Sequence, residues 1–218
     1  MTRERGGCFV SIDGPSGIGK STTVKALHRE LAARGIPSRL TVEPTRSDLG
    51  QFTRQHADRI HGRALACLVA ATRYEHIEQV IQPALRAGDL LISDRYMPST
   101  LVLQHLDGVP LQFLLDINRD VLMPDLAVIL TAQPGLIAER LAARGITHRF
   151  HLDPTAPSRE VELYAQAAAH LMSRGVEVLC LDTSEATPSE VVSTIADAIP
   201  RLPIASVVPS DQSTPQES

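Results

Sequence analysis

Gly14-Pro15-Ser16-Gly17-Ile18-Gly19-Lys20-Ser21 fits the pattern G-x-x-x-x-G-K-[ST], and its neighbours on both sides give it the setting that pattern needs. Upstream, residues 8–12 form the short apolar run Cys8-Phe9-Val10-Ser11-Ile12, suited to a buried strand. Downstream, residues 21–34 carry helical periodicity that stops at Gly35. Strand, glycine loop and helix therefore follow in the order of a phosphate cradle. Glycines let backbone N–H groups between Gly17 and Thr22 converge on phosphate oxygens at a helix N-terminus. Lys20 is placed for β- and γ-phosphates, and the Ser21 hydroxyl for Mg²⁺. Gly14, Ser16, Gly17, Ile18, Gly19, Lys20, Ser21 and Thr22 are thus expected to bind ATP.

The chain of 218 residues is 43% hydrophobic, enough for one good core with a small lid. We expect one kinase-sized domain over residues 1–201, with a lid at about 144–158. The Pro-, Ser- and Gln-rich stretch 202–218 is expected to be a disordered tail. No window approaches the roughly 18 apolar residues of a membrane span, and the first strand starts too early for a secretory leader. A cytoplasmic protein is expected, without a membrane partner. Its net charge of −4 offers no global basic field for nucleic acid. Cys8, Cys67 and Cys180 are odd in number and far apart, which suits reduced, mostly buried thiols. Lys20 and Lys25 are the only lysines, arginine supplying the rest of the positive charge.

Further apolar runs at 38–42, 90–93, 126–130 and 177–181 read as strands, separated by helical patterns at 63–86, 134–143, 159–173 and 188–199. Helical segments also fill the stretch between the third strand and about Leu122, and Pro83 is expected to kink or re-cap the long helix 63–86. This alternation predicts an α/β fold of the P-loop NTPase type: a five-stranded parallel sheet with helices on both faces and a short lid. Ligands then sit beyond the carboxyl ends of the strands, where Asp13, Glu43 and Asp94 fall. Asp94 is placed to hold Mg²⁺ near Ser21, and Arg95 to point a forked cation at the same phosphates. Val69 and Arg73, four residues apart, share one helix face. Arg140, Arg144 and Arg149, with His148 and His151, surround an irregular basic segment able to close over phosphoryl groups. His148 and His151 lack an evident third ligand for a metal site.

With Glu43-Pro44, Ala71-Thr72-Arg73-Tyr74-Glu75, Asp94-Arg95-Tyr96 followed by Ser99, Pro124-Asp125-Leu126, Arg144-Gly145, His148-Arg149-Phe150 and Asp182-Thr183, the chain resembles the thymidylate kinase family of nucleoside monophosphate kinases over residues 8–200. The resemblance implies transfer of the ATP γ-phosphoryl group to a monophosphate acceptor, with Lys20, Asp94, Arg95 and Arg149 as catalytic residues. By the same resemblance Ser21 and Asp94 organise Mg²⁺, and Arg144 assists nucleotide binding. Asp13, Glu43, Val69, Arg73, Arg95, Ser99, Leu103 and Gln104 surround the acceptor. A homodimer is implied as well, with Leu65, Leu68 and Ile77 able to contribute to its face. Gly17 stands where some members carry an arginine, which points to the subtype whose lid arginines complete charge neutralisation.

Three positions depart from the family: Ser16 where an acid is usual, Val69 where a phenylalanine stacks on the base, and Leu103 where many members have a tyrosine. The phosphate machinery looks intact while the nucleoside pocket is altered. dTMP is the first expected acceptor, a different nucleotide or phosphorylated metabolite the second, and a non-catalytic nucleotide-binding switch or scaffold the third.

Overall fold

In a computed structural model describing residues 6–144 and 155–199, strands and helices alternate along the chain. They are β1 (Cys8–Asp13), α1 (Lys20–Ala33), β2 (Ser38–Val42), α2 (Asp48–His56), α3 (Gly62–His76), a π-helical turn (Ile77–Ile81), α4 (Gln82–Arg86) and β3 (Leu90–Asp94). After these come α5 (Met97–Leu106), α6 (Leu111–Ile117), β4 (Leu126–Thr131), α7 (Pro134–Arg144), α8 (Ala156–Ser173), β5 (Glu177–Asp182) and α9 (Pro188–Ala198).

The five strands are all parallel, in the order β2-β3-β1-β4-β5. Every residue of β1 is buried, as its position between β3 and β4 requires. Side chains alternate across the sheet. Val10 and Ile12 of β1 pack with Val24, Leu27 and Leu31 of α1 and with Ile195 of α9 on one face. Phe9 turns to the other face, among Ile81, Leu85, Val102 and Tyr164. From β1 the chain passes to the edge strand β2, returns to β3 beside β1, then crosses to build β4 and β5 on the other side. Winding thus reverses beside β1, and the crevice at such a reversal is where an open parallel sheet takes its ligand.

Four strands extend one residue beyond the apolar runs, because the hydrogen-bonded ladder continues through a polar end residue. Asp94 pairs with Ile12, Asp13 with Ile129 and Thr131 with Asp182. Helix α2 escaped the sequence reading, although Ser47 caps it by accepting the Gly50 N–H at 3.1 Å. Gly50 is required there: a Cβ would lie 2.3 Å from the Thr45 carbonyl oxygen. The long helix expected at 63–86 is broken by the π turn, which re-registers the backbone so that Pro83 falls in the first turn of α4. Helix α8 begins at Ala156, so the irregular stretch expected to reach residue 158 ends earlier. Of the three free thiols, Cys8 is buried but Cys67 and Cys180 are exposed, against expectation. Leu65 and Ile77 are also buried in the chain's own core, which removes them from any face offered to a second copy. No helix among the described residues is long and apolar enough to cross a membrane.

Candidate active site

The glycine loop leaves β1 and passes directly over β4. A Cβ on Gly14, at φ +146°, would lie 2.4 Å from the Leu130 carbonyl oxygen. Gly17 has φ +80°, and a Cβ there would lie 3.0 Å from Cδ2 of Leu141 on α7, which fills the space that a side chain at this position would take. Gly19, at φ +101°, caps α1, whose first turn carries no acid to compete with an anion. Lys20 is buried, its ammonium donating to the carbonyls of Gly14 and Pro15 at 2.8 Å each. Burial and the Arg95 charge push its pKa well below the usual lysine value, against the opposing pull of Asp94, Glu160 and Asp13.

At the end of β3, Asp94 stands beside the loop and accepts the Ser21 hydroxyl through Oδ2. Its Oδ1 is buried with no hydrogen-bond partner. A hydroxyl and a carboxylate with an unused lone pair are oxygen donors of the kind Mg²⁺ takes, so these two residues fit that ion. Among the described residues no cluster of three or more His, Cys, Asp or Glu side chains could hold a metal. Arg95 adopts φ +74°, a backbone conformation rare for a non-glycine residue. It is held there by its N–H on the Ile12 carbonyl at 3.0 Å and by the Ser93 hydroxyl on its own carbonyl at 2.7 Å. Strain of this kind persists where the surroundings over-determine it, typically at sites that position a ligand.

Beyond the loop lies a cavity of about 450 Å³, within the range of small-molecule sites. Ser16, Glu43, Val69, Arg73, Asp94, Arg95, Ser99, Leu103 and Gln104 all line it, gathering most of the residues expected around an acceptor. A second cavity of about 700 Å³ meets it at Ser21, Val42, Arg54 and Asp94.

The match to family models is with thymidylate kinase, over residues 12–195. The chain belongs to the thymidylate kinase family. It is 34% identical over 164 residues to a probable thymidylate kinase of Caldivirga maquilingensis, covering 73% of this chain and 80% of that one. It is 36% identical over 173 residues to one of Thermococcus gammatolerans, covering 74% and 83%. The solved thymidylate kinase of Candida albicans shares its fold, with a TM-score of 0.74 over 92% of this chain and 93% of that one, at 21% identity.

Within this thymidylate kinase fold, Asp13 takes a different place from the one the sequence suggested, and Arg73 is held by protein partners where it meets the cavity. Asp13 does not line the cavity. It is fully buried, and its Oδ1 accepts the N–H groups of Tyr96 and Ser99 at 3.0 and 3.1 Å and the Ser99 hydroxyl at 2.7 Å. Burial pushes its carboxyl up, against the downward pull of those bonds. Asp13 thus pins the loop that carries Arg95. Arg73 reaches the cavity but is 1% exposed, with hydrogen bonds at every nitrogen. Its Nε and Nη2 donate to Oε2 of Glu43 at 2.9 and 2.6 Å, Nη2 also to Thr100, and Nη1 to Asn118 and the Met97 sulfur. Burial would raise the Glu43 pKa, but the Arg73 charge and a bond from His76 outweigh it and hold the carboxyl below its usual range.

Sequence reading missed His76, Arg54 and Leu141. His76 sits between Glu43 at 3.1 Å and Thr41 at 2.6 Å, and its signal was a polar residue on the buried face of α3. Arg54 had no signal, since it lies on the helix that went unseen. Thr183 ties the end of β5 to β4 through two bonds to the Thr131 carbonyl. Arg149, His148 and His151 lie outside the described residues, as does the Arg144 side chain.

Proposed function

We propose that the protein phosphorylates dTMP to dTDP at the expense of ATP. The observation that carries this reading is the junction of the Gly14–Ser21 loop with the 450 Å³ cavity at Ser16, Gly17, Ser21 and Asp94. A phosphate donor in the loop and a monophosphate in the cavity would meet there end to end. The alternatives of another acceptor or of a non-catalytic role draw no support from the relatives.

An oxygen of the acceptor phosphate attacks the γ-phosphorus of ATP, the bond to the bridging oxygen breaks, and ADP leaves with that electron pair. The acceptor is already anionic, so no general base is needed and catalysis is chiefly positioning and charge stabilisation. The loop amides and Lys20 hold the donor phosphates, while Arg95 holds the acceptor phosphate and Arg54 faces the same cavity from α2. Arg73 adds positive charge from the cavity floor and fixes Glu43. Ser21 and Asp94 would hold Mg²⁺, which supplies neutralisation of the phosphate oxygens. Val69, Leu65 and Leu103 give the base an aliphatic wall, and Gln104 offers it a polar partner. Arg149 and Arg144 complete the charge, as the family resemblance implies. The same reading includes a cytoplasmic homodimer, for which Leu68 is the remaining α3 candidate.

The test is a coupled ADP-release assay with ATP, Mg²⁺ and a panel of deoxy- and ribonucleoside monophosphates. dTMP should give the highest kcat/KM, and a higher value for another acceptor would overturn the assignment.

A further inference from the structure

Helix α8 packs against the rest of the chain along a stripe formed by Ala156, Pro157, Tyr164, Ala167, Ala168 and Leu171, and one acid interrupts it. Glu160 lies on that stripe with 1% of its surface exposed. Its Oε2 accepts the backbone N–H of Ser16 at 2.7 Å, across 144 residues of sequence. A buried carboxylate is costly unless hydrogen bonds and opposite charge offset it. Here both come from the phosphate loop: the N–H of Ser16, and the Lys20 ammonium with which Glu160 interacts electrostatically. An apolar side chain would serve packing alone at lower cost.

Ser16 is itself part of the cavity wall, together with Gly17, Arg95 and Ser99. One helical turn beyond Glu160, the Tyr164 hydroxyl lies 3.2 Å from that of Ser99. Two successive positions of one helix stripe therefore brace two residues of the wall, one of them through the backbone. We propose that Glu160 is a positioning residue for the phosphate acceptor: by holding the Ser16 amide it sets the stretch of loop against which the acceptor rests. Its effect falls on the acceptor side, because Ser16 lines that cavity. The proposal rests on dTMP being the acceptor.

The test compares Glu160→Gln, which keeps an accepting oxygen in place, with Glu160→Ala, which removes it. In Glu160→Ala the KM for dTMP should rise about tenfold, as expected for losing one hydrogen bond to a charged group, and the KM for ATP by less. Glu160→Gln should recover most of that loss. In the amide spectrum of ¹⁵N-labelled protein the Ser16 signal should lie downfield and move upfield in both variants, further in alanine. Glu160→Asp guards against an alanine variant that does not fold: it keeps the charge but loses reach, and should raise the KM for dTMP likewise. Equal rises in both KM values, a glutamine no better than alanine, or a Ser16 signal that does not move would overturn the proposal. A wild type inactive on dTMP would sink the activity assignment alone, because the Ser16 signal is read without substrate.

Discussion

The hydroxyl of Ser21, at the start of α1, donates to the carboxylate of Asp94, at the end of β3. The two residues are 73 positions apart, and the other oxygen of Asp94 is buried without a partner. If this pair holds Mg²⁺, Asp94→Asn should keep the fold but raise the Mg²⁺ concentration for half-maximal turnover by about tenfold or more, since the metal loses its charged ligand. Titrating Mg²⁺ at saturating ATP and dTMP measures this, and an unchanged midpoint would remove Asp94 from the metal site.

Lys20 makes its two hydrogen bonds to carbonyls of its own loop, so its ammonium is already at the phosphate cradle. Lys20→Ala should lower kcat by about a hundredfold or more with the fold retained, through loss of charge stabilisation on the transferring group. Steady-state kinetics alongside circular dichroism checks it. Near wild-type turnover by a folded variant would contradict the role.

The Arg73–Glu43–His76 cluster predicts a pH-dependent stability. Because the Glu43 carboxyl is held below its usual range in the fold, its contribution is complete above the unfolded carboxylate pKa and is lost as pH falls through the lower folded value. Glu43→Gln leaves the Arg73 guanidinium buried without its counter-charge and should cost about 3–5 kcal/mol near neutral pH. Urea unfolding at pH 7 and at pH 4 should show the gap between wild type and variant narrowing in acid. A gap that widened would reverse the sign of the argument.

Val69 lies in the cavity wall one helical turn from Arg73, with Leu103 and Ser16 in the same wall. An aliphatic wall should leave the KM for dTMP high and discrimination between deoxy and ribo acceptors weak. Val69→Phe restores a stacking surface worth about 1 kcal/mol, so the KM for dTMP should fall about fivefold with kcat little changed. A rise in KM would mean that the cavity is shaped around valine for a different base.

Much of this protein was legible in its residues one stretch at a time. The phosphate loop, all five strands and the placing of Asp94 and Arg95 at a strand end follow from apolar runs and glycine spacing, which report on neighbours within a few positions. The π turn before Pro83 and the helix Asp48–His56 were harder to read, because short segments carry little periodicity.

Partnership was decided by the tertiary structure. The strand order β2-β3-β1-β4-β5 brings Glu43 and Asn118 to opposite ends of the Arg73 guanidinium. It turns Asp13 inward to hold the loop of Arg95, and helix packing lays Glu160 on the amide of Ser16. Local sequence determines which face of an element is apolar, whereas the pairing of a buried charge depends on sheet register and helix packing. Those are set by the whole core at once.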